Sequence, residues 1–124
     1  MANGSPRKIS LMNINLAPHK KIYFASDQHF GASNPSESKQ REDKFIRWLN
    51  EIKADAQVLF LMGDLFDFWH EWKYVIPKGF VRVLGKLAEL KDSGIEIHFF
   101  IGNHDLWMKD YFEKEIGASV YFEK

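Results

Sequence analysis

The sequence predicts an α/β fold: a parallel sheet flanked by helices, in the order strand, helix, strand, helix, strand, helix, strand. Three observations predict it. Short apolar runs at 21–25, 58–62 and 95–101 alternate with segments whose apolar residues recur at helical spacing. Each run stops where a polar string begins: Ser26-Asp27-Gln28-His29, Gly63-Asp64-Leu65-Phe66-Asp67 and Gly102-Asn103-His104-Asp105. The chain has 124 residues, 45% of them hydrophobic, enough for one compact domain with a buried core.

Lys21 to Ala25 is β-branched and aromatic, and it breaks at Ser26-Asp27. Asn34-Pro35-Ser36-Glu37 reads as a helix start, with Asn34 as cap, Pro35 at the first helical position and Glu37 three residues after the cap. Phe45, Trp48, Leu49 and Ile52 follow at i, i+3, i+4 and i+7, one apolar stripe. Val58 to Met62 is continuously apolar, as in a strand covered on both faces. Residues 65–76 read as an aromatic-rich loop. Pro77 is expected to open a second helix, with Phe80, Val83, Leu84 and Leu87 on its apolar face and Gly94 as its stop. Ile95 to Ile101 is the third strand. A short helix is expected over Leu106 to Ile116, stopped by Gly117, and Val120-Tyr121-Phe122 begins a fourth strand.

Composition removes several classes of function. There is no cysteine, so disulfides and thiolate metal sites are excluded and a metal must be held by oxygen and nitrogen. Lys plus Arg equals Asp plus Glu at 17 each, which leaves no overall field to attract nucleic acid, and no nucleic-acid partner is expected. No apolar run approaches the ~20 residues of a membrane span. Residues 1–20 lack the apolar stretch of a signal peptide and are expected to be a flexible leader.

In a parallel sheet the C-terminal strand ends share one edge, where open α/β sheets bind ligands. Asp27, His29, Asp64, Asp67, Asn103, His104 and Asp105 all follow strand ends and are expected to meet there. Several acids at one place repel one another unless a cation sits among them. If the chain stays extended, Asp27 and His29 lean to one side and offer a carboxylate oxygen and an imidazole nitrogen to one ion. The two oxygens of Asp64 can reach two ions, and Asn103 offers a neutral carbonyl oxygen. This donor set suits Mn, Fe, Zn or Mg better than a soft metal. Two cations ~3.5–4 Å apart would clamp a phosphate. His104 is placed to protonate a leaving oxygen or to stabilise charge on phosphorus, and Asp105 to orient that imidazole. For Asp67, capping a local turn is preferred over touching metal.

Asp-x-His, Gly-Asp-x-x-Asp and Gly-Asn-His-Asp, in this order on a βαβαβ frame, resemble the calcineurin-like metallophosphoesterases. The resemblance implies two divalent ions, with Mn expected: Asp27 and His29 on the first, Asp64 bridging both, and Asn103 on the second and on substrate. It makes His104 the catalytic, substrate-contacting histidine, supported by the second catalytic residue, Asp105. It also implies the first half of an αββα sandwich, with residues 21–124 the N-terminal portion of the domain. Ile22 to Gly31 and Gly63 to Trp69 are further similar to the branch that hydrolyses UDP-2,3-diacylglucosamine in lipid A synthesis. That branch cleaves a pyrophosphate to UMP and a lipid 1-phosphate, an activity expected in the cytoplasm, at or near the inner membrane. Many of its members carry Arg where this chain has His104, which keeps another phosphodiester or nucleotide open as substrate. A non-enzymatic receiver-like domain is a further alternative, although Gln28 and His29 stand where a receiver has an adjacent acid.

The family pattern continues with another histidine and a Gly-His-x-His string. Of the five histidines, His19, His29, His70, His98 and His104, none follows His104, so the chain is expected to be an incomplete piece that binds metal weakly and self-associates through exposed sheet. His98 is expected to be structural, and His70 to lie near the rim. Phe66, Phe68, Trp69, Trp72, Tyr74, Val75 and Ile76 are expected mostly to pack over the sheet edge, with Trp69 and Trp72 the candidates for lipid or membrane contact.

Overall fold

The computed structural model describes residues 7–8, 13–32, 34–67, 69–72, 75–101 and 109–122. Five strands form one sheet: β1 (Arg7–Lys8), β2 (Lys21–Ala25), β3 (Ala56–Leu61), β4 (Glu96–Phe100) and β5 (Ser119–Phe122). Their spatial order is β1-β5-β4-β3-β2, and every pairing is parallel. The α/β class and parallel sheet are therefore as the sequence predicts. Arg7 and Lys8, inside the segment expected to be a flexible leader, pair with Tyr121 and Phe122.

From β2 to β5 each strand lies beside its predecessor, always stepping the same way. Right-handed crossovers then put every connection on one face of the sheet. Helix α1 (Pro35–Ile52), helix α2 (Val81–Asp92) and a π-helical turn (Phe112–Ile116) accordingly share one core. Into it the sheet sends Leu59, Leu61, Ile97, Phe99 and Val120. The opposite face carries an aromatic row: Phe24 stacks on Phe60 with centroids 5.1 Å apart, Phe60 on His98 at 5.2 Å, and Phe100 on Tyr121 at 4.9 Å. His98 is buried in this row, its Nδ1 2.9 Å from the Tyr121 hydroxyl and its Nε2 3.2 Å from Glu96. It is part of the sheet's packing, not of its rim.

Helix α1 starts as its sequence requires. Asn34 Oδ1 accepts from the Glu37 amide at 2.8 Å, and Pro35 occupies the first turn. Its buried stripe is Ser38, Glu42, Phe45, Leu49 and Ile52. The apolar stripe thus continues two turns toward the N-terminus as polar residues. Burial pushes the Glu42 carboxyl above its usual range, against the pull of Lys39.

Two element boundaries differ from expectation. Helix α2 begins at Val81, not Pro77, because Gly79 at φ +102° turns the backbone between them. The final helix is a π-turn over Phe112–Ile116 preceded by Tyr111, while 106–108 lie outside the described residues. Phe112 O accepts from both Gly117 N and Ala118 N, each at 3.0 Å, which widens the turn. Gly94 and Gly117 end their helices at φ +103° and +89°. Among the described residues no helix is long and apolar enough to cross a membrane.

Candidate metal centre

The rim is built by two loops that continue the β2–β3 pairing beyond the strands. Met62 N donates to Ala25 O (2.7 Å), Asp27 N to Gly63 O (3.1 Å), His29 N to Asp64 O (3.0 Å) and Phe30 N to Leu65 O (2.9 Å). Asp67 N then returns the bond to Phe30 O at 2.8 Å. The loops are zipped through their backbones, so Asp27, His29 and Asp64 are aligned by main-chain bonds. Phe30 and Phe66, both fully buried, anchor this zipper in the core with centroids 6.0 Å apart.

The backbone at all three residues is left-handed: φ is +56° at Asp27, +48° at His29 and +51° at Asp64. The extended geometry that would aim Asp27 and His29 to one side ends at Ala25. Asp and His tolerate this region better than most residues, yet each such residue stores about 1–3 kcal/mol of strain. Three such residues clustered at the end of two strands mark a built site. Gly63, at φ +103°, supplies the turn that lets Asp64 come back toward β2.

The result is convergence. One ligand atom each from Asp27, His29 and Asp64 lies within 4.8 Å of the others. His29 Nε2 is 3.7 Å from Asp27 Oδ1, and His29 Nδ1 is 3.7 Å from Asp67 Oδ1. Asp67 therefore stands behind the imidazole, on the side away from Asp27. At 3.7 Å each is a charge contact and not a hydrogen bond; an ion held between Asp27 and Nε2 would leave the ring proton on Nδ1, toward Asp67. The Asp67 amide bonds across to the other loop, at Phe30 O, and its carboxylate faces the ring of His29. Two carboxylates and an imidazole form a hard-to-borderline donor set that fits a divalent cation and would repel itself without one.

Gly102, Asn103, His104 and Asp105 lie outside the described residues. His70 stacks on Trp72 at 4.1 Å. Trp69 is not a candidate for lipid contact: it is fully buried against Phe66 and Phe112, and its Nε1 donates to Glu71 Oε2 at 2.8 Å. Glu71, also buried, accepts from Tyr111 N at 3.2 Å through its other oxygen, which ties the aromatic loop to the π-turn. Trp72 is 56% exposed. Beside Asp27 a cavity of about 600 Å³ opens between β2 and α1, lined by Phe24, Ser26, Gln28, Arg41, Lys44 and Trp48 among others.

Sequence reasoning passed over Ser38 and Arg41, which touch the loop carrying His29. The available signal was the position of Ser38 and Glu42 on the buried register of α1, where a polar residue has to meet a polar partner.

The sequence matches the family profile of calcineurin-like phosphoesterases over residues 20–123. It is 50% identical over 101 residues to a UDP-2,3-diacylglucosamine hydrolase of Porphyromonas gingivalis, covering 82% of this chain and 38% of that protein. It is 32% identical over 104 residues to the enzyme of the same name from Haemophilus influenzae, covering 82% of this chain and 40% of that protein. A Stenotrophomonas maltophilia protein of that name is 31% identical over 97 residues, 78% of this chain and 37% of its own length. The chain thus spans about two fifths of the length of these relatives. Phosphoesterases of this family work with a dinuclear divalent metal centre, and the Asp27–His29–Asp64 group joins two strand-end motifs of the sequence. With the profile spanning nearly the whole chain and the ligand group assembled at the sheet's rim, this chain belongs to the calcineurin-like phosphoesterase family.

Proposed function

We propose that this chain carries metal ligands of a phosphoester hydrolase that cleaves the pyrophosphate of UDP-2,3-diacylglucosamine to UMP and a lipid 1-phosphate. The observation that carries the reading is the approach of Asp27, His29 and Asp64 donor atoms to within 4.8 Å of one another. The substrate is taken from the relatives, which bear this name at 50%, 32% and 31% identity.

In this reading Asp27, His29, Asp64 and Asn103 would hold the divalent ions, and Asn103 would also contact the substrate. Manganese is the proposed metal, with Fe, Zn and Mg as alternatives from the same oxygen and nitrogen donors. Bound divalent ions supply Lewis-acid stabilisation of charge on the phosphoryl oxygens and a nucleophile at neutral pH. The protein's own work is to hold donors and move a proton. Asp67 faces Nδ1 of His29, and an ion held at Nε2 would leave the ring proton on Nδ1 beside that carboxylate. His104 donates a proton to the leaving phosphate oxygen, and Asp105 holds the tautomer it needs. Residues 21–124 form the N-terminal portion of the catalytic domain. The exposed Trp72 and Val75 favour contact with a lipid surface at the cytoplasmic side of the inner membrane, where a lipid-linked nucleotide is presented.

The receiver-type alternative falls away with the family match. A second substrate reading, another phosphodiester or a nucleotide, is favoured by one feature: histidine at position 104 where many members of the diacylglucosamine branch carry arginine.

The test uses the full-length gene product. Metal content is measured together with UMP release from UDP-2,3-diacylglucosamine in Mn²⁺. Turnover is expected, and Asp64→Asn is expected to lose both bound metal and activity, by 10²-fold or more. Cleavage of a simple phosphodiester without cleavage of the lipid would overturn the substrate. No turnover, with metal content unaltered in Asp64→Asn, would overturn the site.

A further inference from the structure

The loop that carries His29 is held from the side by helix α1. Arg41 Nη2 donates to His29 O at 3.1 Å and to Ala32 O at 2.9 Å. One turn earlier, Ser38 Oγ accepts from Gly31 N at 2.7 Å, and Ser38 is buried. Ala32 N closes the same turn on His29 O at 3.0 Å. Thus His29 O, Gly31 N and Ala32 O, three main-chain groups of one tight turn, all find partners on α1 or within the turn.

The turn does not rest in relaxed geometry by itself. His29 sits at φ +48° and Gly31 at φ +98°. A non-glycine residue in the left-handed region persists only when its surroundings over-determine it. The backbone zipper to residues 63–65 fixes the His29 amide, and Phe30 anchors the chain in the core against Phe45, centroids 5.4 Å apart. The same zipper holds the next peptide through Phe30 N, and Ala32 N bonds to His29 O. Arg41 adds a side-chain hold on that carbonyl, joining it to Ala32 O through one nitrogen. The rotation of the His29 peptide sets where the imidazole points, so the guanidinium acts on the ligand through the main chain.

We infer that Arg41, with Ser38, is a positioning residue for His29: the first two turns of α1 lock the left-handed turn that aims the imidazole into the Asp27–Asp64 group. Both bonds come from Nη2, whose two N–H groups serve the two carbonyls. The inference rests on the reading of Asp27, His29 and Asp64 as a metal site and assigns that site a support no ligand motif contains.

The experiment is a Mn²⁺ titration by calorimetry of the metal-stripped full-length protein, with thermal unfolding in EDTA recorded in parallel. Arg41→Ala is expected to weaken Mn²⁺ binding about tenfold, the size of loss seen when a ligand's supporting partner is removed. Its unfolding temperature in EDTA is expected to stay close to that of the parent. Arg41→Lys is expected to recover part of the affinity, and Ser38→Ala to weaken binding in the same direction by a smaller factor. If Asp64→Asn abolishes binding while Arg41→Ala and Ser38→Ala bind Mn²⁺ like the parent, the positioning role is overturned and the metal site stands. If Arg41→Ala lowers only the unfolding temperature, Arg41 is structural and the inference is overturned. If Arg41→Ala does not fold, Arg41→Lys and Ser38→Ala decide on the same affinity criterion. If Asp64→Asn itself binds Mn²⁺ like the parent, the site reading fails, and this inference fails with it.

Discussion

At the scale of single residues, the centre depends on groups that do not themselves bind. Asp67 was legible as the last acid of the Gly-Asp-x-x-Asp string but not as the partner of His29, because that contact runs between loops from different strands. Its carboxylate is 44% exposed, so its loss should leave the core undisturbed. Asp67→Ala is expected to weaken Mn²⁺ binding about tenfold, with the backbone bond from residue 67 to Phe30 O retained. Long-range proton–nitrogen spectra of the His29 ring with Zn²⁺ bound check the cause: the parent should be protonated mainly at Nδ1, and the variant should show a smaller Nδ1-protonated fraction. Unchanged tautomer populations would sink this account. Trp69 makes the opposite point. An aromatic residue beside an acidic rim looked like a lipid contact, yet its indole N–H finds a buried carboxylate, Glu71, and the whole side chain is enclosed.

At the scale of elements, periodicity located both helices and named most of their buried residues. Phe45, Leu49 and Ile52 in α1 and Val83, Leu84 and Leu87 in α2 are buried as the spacing requires. What joins the two helices was not visible. Glu89 of α2 accepts from Lys53 beyond the end of α1 at 2.7 Å and from Lys86 at 2.9 Å, and Lys86 also donates to Asn50 of α1 at 2.7 Å. The hydrogen bond from Lys53, then that from Lys86, draws the Glu89 carboxyl down to about 2, against the desolvation that opposes them. A carboxylate lowered on folding stabilises the native state above its ordinary range near 4.5, and that contribution disappears as pH falls through 4.5 toward about 2. Thermal melts should therefore find Glu89→Gln less stable than the parent at pH 7 and nearly equal to it at pH 2. Because Glu89 is half exposed, added salt should shrink the difference. A gap that is constant across pH would point to lost helix propensity instead.

At the scale of the whole molecule, the fold places its chemistry by a topological rule. Consecutive strands stepping one way with right-handed crossovers send every connection to one face and every strand's C-terminal end to one rim. The rim concentrates acids, so the native state should respond to divalent cations as a folded-state ligand. With Mn²⁺ at about a hundred times its dissociation constant, stability should rise by about 2.7 kcal/mol, read as an upward shift in unfolding temperature that EDTA reverses. Asp64→Asn should show no shift. An equal shift in that variant would assign the binding to other carboxylates.

The sequence by itself determined the order of the main strands and helices, the parallel sheet and the placing of the candidate ligands at strand ends, because residue type and spacing act over a few positions along the chain. It announced the αL-tolerant Asp27, His29 and Asp64 at strand ends, and it placed Gly63 before the turn. Only the tertiary structure decided that the loops zip through Asp27 N, His29 N and Phe30 N, that their φ values are positive, and that Arg41 and Asp67 grip His29 from two sides. Those features are set by contacts between segments some 35 residues apart, along β2 and β3, or by a helix side chain reaching back across the rim. No local period encodes them, since each exists only once the sheet has brought its partner within hydrogen-bonding distance.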